Sequence, residues 1–329
     1  MSILVRCGLQ VSNSRENCAP RWTFEQNLQV EIFRVIFSFA FFRNADFRVC
    51  VPGKGFSPVR MKLFVTRIAL LLLALPVSAL ATNAVVNLSH YDRMRVDFSG
   101  MKSEGIIGVI HEASYPPFAR DAHYALRQQA ATRAGLLWGA YHYGNATDPV
   151  RQADHFLRVV SSAWAQADPT SRPAGVLLVL DFEKNGHYPG GTMRVDQAIR
   201  FVQRIRDRTG KFPGVYSGEY HLRQALNNPK IKLIDKAVLA NCWLWMANYG
   251  ARPQATAPWS YWHLWQYTGD GKCRLPGSGY PKSVANIVKA ERNIFHGSRS
   301  DLETFWQARA WNPVGEKRSR ESERIIAER

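Results

Sequence analysis

The segment Val176-Leu-Leu-Val-Leu-Asp-Phe-Glu183 places two carboxylates at the end of a continuously apolar run. Such a run is typical of a parallel strand that is buried on both faces. Side chains two positions apart on a strand point the same way, so we expect Asp181 and Glu183 to share one face. Repulsion and burial would raise the pKa of one carboxyl group and keep it protonated near neutral pH. This arrangement suits cleavage of a glycosidic bond, although carboxylates at a strand end can also cap a helix or bind arginine.

Short apolar runs alternate with amphipathic segments throughout the chain after Thr82. This alternation predicts an α/β fold, either a parallel barrel or a doubly wound sheet, in which function collects at the carboxyl ends of strands. The predicted strands are 84–88, 107–111, 136–143, 176–182, 214–217, 243–247 and 262–266, and the predicted helices are 121–134, 149–164, 196–209 and 220–225.

The first 81 residues have a different character from the rest of the chain. Residues 61–81 contain Lys62 and Arg67, then an apolar stretch, then Ala79-Leu-Ala81, which is the pattern of a secretory signal peptide cleaved after Ala81. An uncleaved membrane anchor is the alternative. We interpret residues 1–60 as an upstream segment before a start at Met61, residues 82–311 as a single domain, and residues 312–329 as a charged tail. The protein is therefore expected to be exported, to the periplasm or outside the cell.

Charge and cysteine content narrow the choice of partners. The formal net charge is +17, of which +11 lies after residue 81, so an anionic partner such as a cell-wall polymer is favoured. No run of five basic residues and no helix-turn-helix or zinc-finger pattern occurs, so nucleic acid is not predicted. We expect a monomer without a stable protein partner. After residue 81 only Cys242 and Cys273 remain, as one disulfide or as two free thiols.

Aromatic and polar side chains follow several of the predicted strands. Sugar rings stack on aromatic faces while polar groups bind their hydroxyls, so these residues suit a polysaccharide cleft, although about half of the tryptophans are expected in the core. The candidates for substrate binding at these strand ends are Tyr141, His142, Tyr216, Trp245, Tyr249, Trp265 and Gln266.

No cofactor or metal is predicted. The nine histidines show no His-x-x-x-His spacing, and neither a Cys-x-x-Cys pair, a phosphate-binding glycine loop nor a Gly-x-Ser-x-Gly motif occurs. We interpret His111 and His142 as hydrogen-bonded residues of the cleft or core. Asp97 and Asp121 are interpreted as turn or helix-start residues, with a place in the cleft as the alternative.

Six blocks in order carry a resemblance to a known family. They are Asn87-Leu-Ser-His-Tyr91, Gly105-Ile-Ile-Gly-Val-Ile-His-Glu-Ala-Ser114, Ala134-Gly-Leu-Leu-Trp-Gly-Ala-Tyr-His142, Gln152-Ala-Asp-His-Phe156, Leu180-Asp-Phe-Glu183 and Leu264-Trp-Gln-Tyr-Thr268. From about Val85 to Trp306 the chain resembles glycoside hydrolase family 25, the N-acetylmuramidase lysozymes. The resemblance implies a TIM-like (β/α) barrel with incomplete helices, and cleavage of the β-1,4 bond between N-acetylmuramic acid and N-acetylglucosamine.

The resemblance also implies roles for single residues. Glu183 matches the general acid, and Asp181 matches the carboxylate that positions or stabilises the substrate's 2-acetamido group. Tyr141, Trp245, Tyr249 and Trp265 match aromatic cleft positions.

Three positions depart from the family pattern. Asn87 stands where the pattern has aspartate, Glu291 replaces an aspartate near the end, and Glu112 stands where lysine is common. Losing the charge at residue 87 could cost several kcal/mol of transition-state stabilisation. The sequence therefore predicts an exported muramidase. A glycan-binding protein without turnover and a hydrolase of chitin-like polymers are the alternatives.

Overall fold

Eight strands close into a barrel in the computed structural model, which describes residues 81–313. The strands, including one short strand outside the barrel, are β1 Ala81–Leu88, β2 Gly108–Tyr115, β3 Ala119–Arg120, β4 Leu137–Tyr143, β5 Val176–Asp181, β6 Gly214–Gly218, β7 Trp243–Ala247, β8 Leu264–Thr268 and β9 Glu291–His296. The sheet order is β1-β9-β8-β7-β6-β5-β4-β2-β3, and β1 also pairs with β2, which closes the barrel. The strand neighbours from β1–β2 round to β7–β8 are parallel, whereas β9 is antiparallel to both β8 and β1. The barrel predicted from the sequence is confirmed.

Helices surround only part of the barrel. They are α1 Phe98–Ser103, α2 Tyr124–Arg133, α3 Pro149–Gln166, α4 Val195–Thr209, α5 Glu219–Leu226, α6 Leu233–Leu239 and α7 Arg299–Arg309, with a short 3₁₀ turn at Pro169–Ser171. The described connections from β7 to β8 and from β8 to β9 contain no helix. The expectation of incomplete helices is therefore confirmed.

Local sequence explains where helix α3 begins and where helix α4 ends. Asp148 precedes α3, and its carboxylate accepts hydrogen bonds from the backbone N–H groups of Val150 (2.9 Å) and Arg151 (3.3 Å), which have no partner within the helix. Pro149 occupies the first turn, where its missing N–H costs nothing. Helix α4 ends at Gly210, whose φ of 72° is the left-handed conformation that favours glycine.

Two apolar clusters lie on opposite sides of the strands. Along β5, Leu177 and Val179 belong to the cluster inside the barrel, whereas Leu178 and Leu180 pack in the outer cluster with the helices. At the amino end of the strands, Trp306 of α7 fills the barrel and donates its indole N–H to the carbonyl of Trp138 (3.1 Å). The carboxyl end of the barrel is consequently left for the polar side chains.

The structure also differs from the predicted elements. Strands β3 and β9 and helices α1, α6 and α7 were not predicted, and the strand expected at 262–266 lies at Leu264–Thr268. Cys242 and Cys273 are free thiols, which excludes the disulfide alternative. Within residues 81–313, none of the helices combines the length and the apolar character that a membrane span requires. The predictions for residues 1–60, for the signal peptide before Ala81 and for most of the tail lie outside the described residues.

Candidate active site

The two predicted catalytic carboxylates stand at the carboxyl end of β5. Asp181 is its last residue and is 6% exposed, and Phe182 points into the outer cluster, so alternation returns Glu183 to the barrel side. The Phe182 N–H still donates to the Tyr216 carbonyl of β6 (2.8 Å), which keeps this segment in the strand direction. The oxygen Oδ1 of Asp181 is buried and has no hydrogen-bond partner among residues 81–313. It is therefore free to accept a hydrogen bond from a ligand.

The environment of this pair favours a bound proton. Burial raises the pKa of Glu183 to about 7, and the charge of Asp270 adds to the shift. Burial also raises the pKa of Asp181 well above its usual range, with further contributions from the charges of Glu183, Glu112 and Glu291. Two neighbouring carboxylates in a poorly hydrated site cannot easily ionise together. The pair therefore holds a proton near neutral pH, as a general acid requires.

A hydrogen-bonded network joins the first strand to the last two at the same end of the barrel. The Asn87 side chain donates Nδ2–H to the Glu291 carboxylate, and its Oδ1 accepts from Asn293 (2.9 Å) and Gln266 (3.2 Å). Gln266 also donates to Glu291 (3.1 Å). The side-chain oxygen of Gln266 accepts from the hydroxyl of Tyr216 (2.6 Å). The structure thus brings together four of the predicted binding residues, and Asn293 is a member that the sequence did not indicate.

Glu291 is the charged member of this network. Its pKa is raised to about 7, chiefly by burial and then by the charge of Asp92, while the hydrogen bond from Asn87 acts in the opposite direction. The asparagine at residue 87 therefore suits the glutamate at residue 291, because its amide donates a hydrogen bond to the Glu291 carboxylate.

Four of the aromatic residues predicted for the cleft lie on the barrel side of the strands or contact the network. Tyr216, Trp245 and Tyr141 belong to the barrel side, and Tyr249 donates its hydroxyl to Gln266 (3.2 Å). The Tyr216 and Trp245 rings meet edge to face at 4.6 Å. Trp245 is only 1% exposed and donates its N–H to Asn293 (2.7 Å), so it supports the network from below.

Two predicted binding residues, His142 and Trp265, lie outside this site. His142 is fully buried behind the sheet, where it bonds to Ser114 (2.9 Å) and Gln152 (3.1 Å) and stacks on Phe201. Trp265 packs in the outer cluster and donates its N–H to the Asn248 carbonyl (2.8 Å). Both predictions were wrong for one reason: strand side chains alternate, and these two point away from the barrel interior.

The sequence reasoning missed a row of aromatic rings beside the paired carboxylates. Tyr143 contacts Tyr188 at 4.9 Å between ring centroids, and Tyr188 contacts Tyr115 at 5.5 Å. His90 stacks on Tyr115 at 4.6 Å and lies 3.9 Å from the ring of Tyr91, which is 66% exposed. The charges of Asp181 and Glu183 both raise the pKa of Tyr143, which places this row next to the acid pair. Tyr143 and Tyr115 end predicted or observed strands, but Tyr91 and Tyr188 come from loops without a pattern.

The sequence left two interpretations open for Asp97 and Asp121, and the structure shows what each side chain contacts. Asp97 caps α1, where its side chain accepts from the Gly100 N–H (2.8 Å), so the helix-start interpretation is confirmed. Asp121 accepts from the His123 N–H (2.7 Å) just before α2, and it also lies beside Glu112 and His90 near the barrel mouth.

Comparison with known proteins agrees with this geometry. The sequence model of glycosyl hydrolases family 25 matches residues 86–275. Lysozyme M1 of Streptomyces globisporus is 25% identical over 228 residues, which cover 66% of this chain and 69% of that protein. The uncharacterized protein YegX of Escherichia coli O157:H7 is 29% identical over 189 residues, 56% of this chain and 57% of YegX, so the match spans little more than half of that relative.

A solved structure shows the same fold. The bacterial lysozyme from Streptomyces coelicolor superposes with a TM-score of 0.53 at 23% identity, covering 70% of this chain and 99% of that one. The family match spans more than half of the chain, and the paired carboxylates stand at the strand ends of a closed barrel. The chain therefore belongs to glycosyl hydrolases family 25 and is a glycosidase.

Proposed function

We propose that this glycosidase is an exported muramidase, which hydrolyses the β-1,4 bond between N-acetylmuramic acid and N-acetylglucosamine in peptidoglycan. The observation that carries the proposal is the pair formed by the buried Asp181 and the partly buried Glu183 at the barrel mouth, with raised pKa values on both. The lysozyme names of its relatives support the choice of substrate, and the signal-peptide pattern of residues 61–81 supports export.

In the proposed reaction, Glu183 donates its proton to the glycosidic oxygen as the bond from that oxygen to the anomeric carbon breaks. The substrate's own acetamido oxygen attacks the anomeric carbon, while Asp181 accepts a hydrogen bond from the acetamido N–H. The unpartnered Oδ1 of Asp181 supports this role, because a buried acceptor gains most from a donor that arrives with the substrate. Glu183 then takes a proton from the water that opens the cyclic intermediate, and the product keeps its anomeric configuration.

The row of tyrosines offers a stacking wall for the sugars. Tyr91, Tyr115 and Tyr188 all retain exposed ring surface beside the acid pair. Sugar rings present apolar C–H faces, which pack on aromatic rings while their hydroxyls remain hydrogen-bonded. The net positive charge after residue 81 would also attract an anionic wall over a distance that salt shortens.

The decisive experiment compares the purified chain with its Glu183→Gln variant on peptidoglycan. Released fragments are reduced with borohydride and identified by mass spectrometry. We expect reduced muramic acid ends from the wild type and a loss of roughly 10²–10⁴ in rate from the variant. Glu303→Gln is the matched control, because Glu303 is a half-exposed residue of α7, the helix that closes the opposite end of the barrel.

The other outcomes decide between the alternatives. Binding to the wall without any released fragments would favour a glycan-binding protein. Faster cleavage of chitin oligomers than of peptidoglycan would favour a chitin-type hydrolase. An inverted anomer in the first product, seen by proton NMR, would exclude the participation of the acetamido group.

A further inference from the structure

A second group of ionisable side chains lies beside the active site, on the side of β1 and β2. His90, Glu112 and Asp121 each bring one potential metal-ligand atom to within 4.8 Å of the other two. Glu112 is 2% exposed and Asp121 is 3% exposed, whereas His90 keeps about a quarter of its side chain in contact with solvent. Two buried carboxylates and one partly exposed imidazole therefore converge outside the catalytic pair.

The Asp121 carboxylate lacks a partner for one of its oxygens. Its Oδ1 accepts from the His123 N–H, but its Oδ2 is buried and accepts no hydrogen bond from the part of the chain that the structure describes. The ring of His111 lies close to this oxygen, with Nδ1 3.7 Å from Oδ2. That Nδ1 bonds to the carbonyl of Glu112 (2.7 Å), and Nε2 faces the guanidinium of Arg127 (3.0 Å). The fully buried His111 ring is thus a neutral imidazole whose one proton is already in use.

The nearby arginine does not fill this gap either. Arg127 donates to the backbone carbonyls of Ser89 (3.1 Å), Asp92 and Met94 (3.2 Å), in addition to its contact with His111. These contacts hold the loop after β1 rather than either carboxylate. The Asp92 carboxylate is itself used by the Ser89 N–H (2.7 Å). The hydrogen bonds of the described residues therefore leave Asp121 without a cationic donor.

We propose that His90, Glu112 and Asp121 bind a divalent transition-metal cation such as Zn²⁺ or Mn²⁺. One imidazole nitrogen and two carboxylate oxygens form a donor set that such ions accept at about 2.0–2.2 Å. The direct contact between His90 and Glu112 would open so that the ion lies between them. The exposed side of His90 gives the ion an entry path and room for water ligands.

The ion would join three chain segments at the barrel mouth. His90 follows β1, Glu112 belongs to β2, and Asp121 follows β3. The His90 ring packs against Tyr115 and Tyr91 of the aromatic row. A bound cation would consequently hold the loop after β1 and its tyrosine against the wall of the cleft.

The test is metal binding by the full chain in the absence of any glycan, so it is independent of turnover. After treatment with a chelator, the protein is dialysed against Zn²⁺ or Mn²⁺ and its metal content is measured by elemental analysis. We expect one equivalent per chain and a higher Tm than that of the metal-free protein. His90→Ala, Glu112→Gln and Asp121→Asn should each weaken binding by at least tenfold. The controls are His187→Ala, an exposed histidine outside the cluster, and Glu303→Gln.

Each other outcome is also informative. His90→Ala is the variant least able to disturb folding, because His90 is partly exposed. Circular dichroism checks the fold of the Glu112→Gln and Asp121→Asn variants. If wild type and the triple variant take up equal amounts of metal, the ion binds elsewhere and the proposal is wrong. If no metal binds to the wild type, the proposal is also wrong. Equal affinity for Mg²⁺ and Ca²⁺ would exclude a site selective for transition metals.

Discussion

Changing Asn87 to aspartate tests how the site tolerates its departure from the family pattern. The Asn87 amide donates to the Glu291 carboxylate and accepts from Asn293 and Gln266, so all its polar atoms are used. Asn87→Asp keeps the two accepted hydrogen bonds but turns a second carboxylate towards Glu291. The pKa of Glu291 is already raised to about 7 by burial, so the new charge enters a site that disfavours ionisation.

The expected cost depends on pH. Two unit charges about 4 Å apart repel each other by about 4 kcal/mol at an effective dielectric constant of about 20, which bounds the loss. The folded pKa values of the pair lie above their unfolded values. The free energy of unfolding therefore falls as the pH rises from about 4 through the folded values, because the unfolded chain releases protons that the folded pair must keep. We expect Asn87→Asp to lose about 1 kcal/mol near pH 5 and up to about 4 kcal/mol near pH 8.

Urea unfolding at several pH values, with parallel rates on peptidoglycan, measures this effect. Asn228→Asp is the control, because this exposed side chain uses only its oxygen, as the acceptor for the Lys230 N–H (3.0 Å). A loss that does not change with pH, or a more stable variant near pH 8, would refute the argument. A large gain in rate from Asn87→Asp would show that the wild-type cleft lacks a charge that it needs, which would favour the binding alternative.

Four further predictions concern the site and its surroundings. Asp270→Asn should lower the pKa of Glu183, because it removes a neighbouring negative charge. The basic limb of the profile of kcat/KM against pH should then move to lower pH, whereas the control Asp196→Asn should leave this limb in place. His142→Ala should cost about 2–3 kcal/mol of unfolding free energy and leave KM unchanged, because the side chain is a buried, hydrogen-bonded core group; a raised KM would return it to the cleft. Tyr188→Ala should weaken glycan binding by about tenfold, or 1.4 kcal/mol, as measured by calorimetry on an inactive Glu183→Gln background. It should also lower the unfolding free energy by about 1 kcal/mol, because the ring contacts with Tyr143 and Tyr115 are lost. Adding salt should weaken adsorption to the wall, and adsorption that ignores ionic strength would exclude electrostatic attraction as the cause.

The strand that carries the acid pair could be predicted from local sequence alone. A run of apolar residues ending in Asp181 and Glu183 has few structural solutions, and the period of two on a strand places both carboxylates on one face. The alternation of strands and helices likewise predicted an α/β fold with parallel strands, but it left a barrel and a doubly wound sheet open, and only the family resemblance pointed to the barrel.

Which face of each strand lies inside the barrel was decided only by the tertiary structure. Parallel strands are apolar on both faces, so the sequence cannot distinguish inward from outward positions, and His142 and Trp265 were placed on the wrong side for this reason. The contact between Asn87 and Glu291 joins residues 204 positions apart, and it exists because antiparallel β9 closes the barrel against β1. Local sequence thus predicts which side chains one strand presents together on a face. The hydrogen-bonded network around them depends on strand order and barrel closure, which no local pattern encodes.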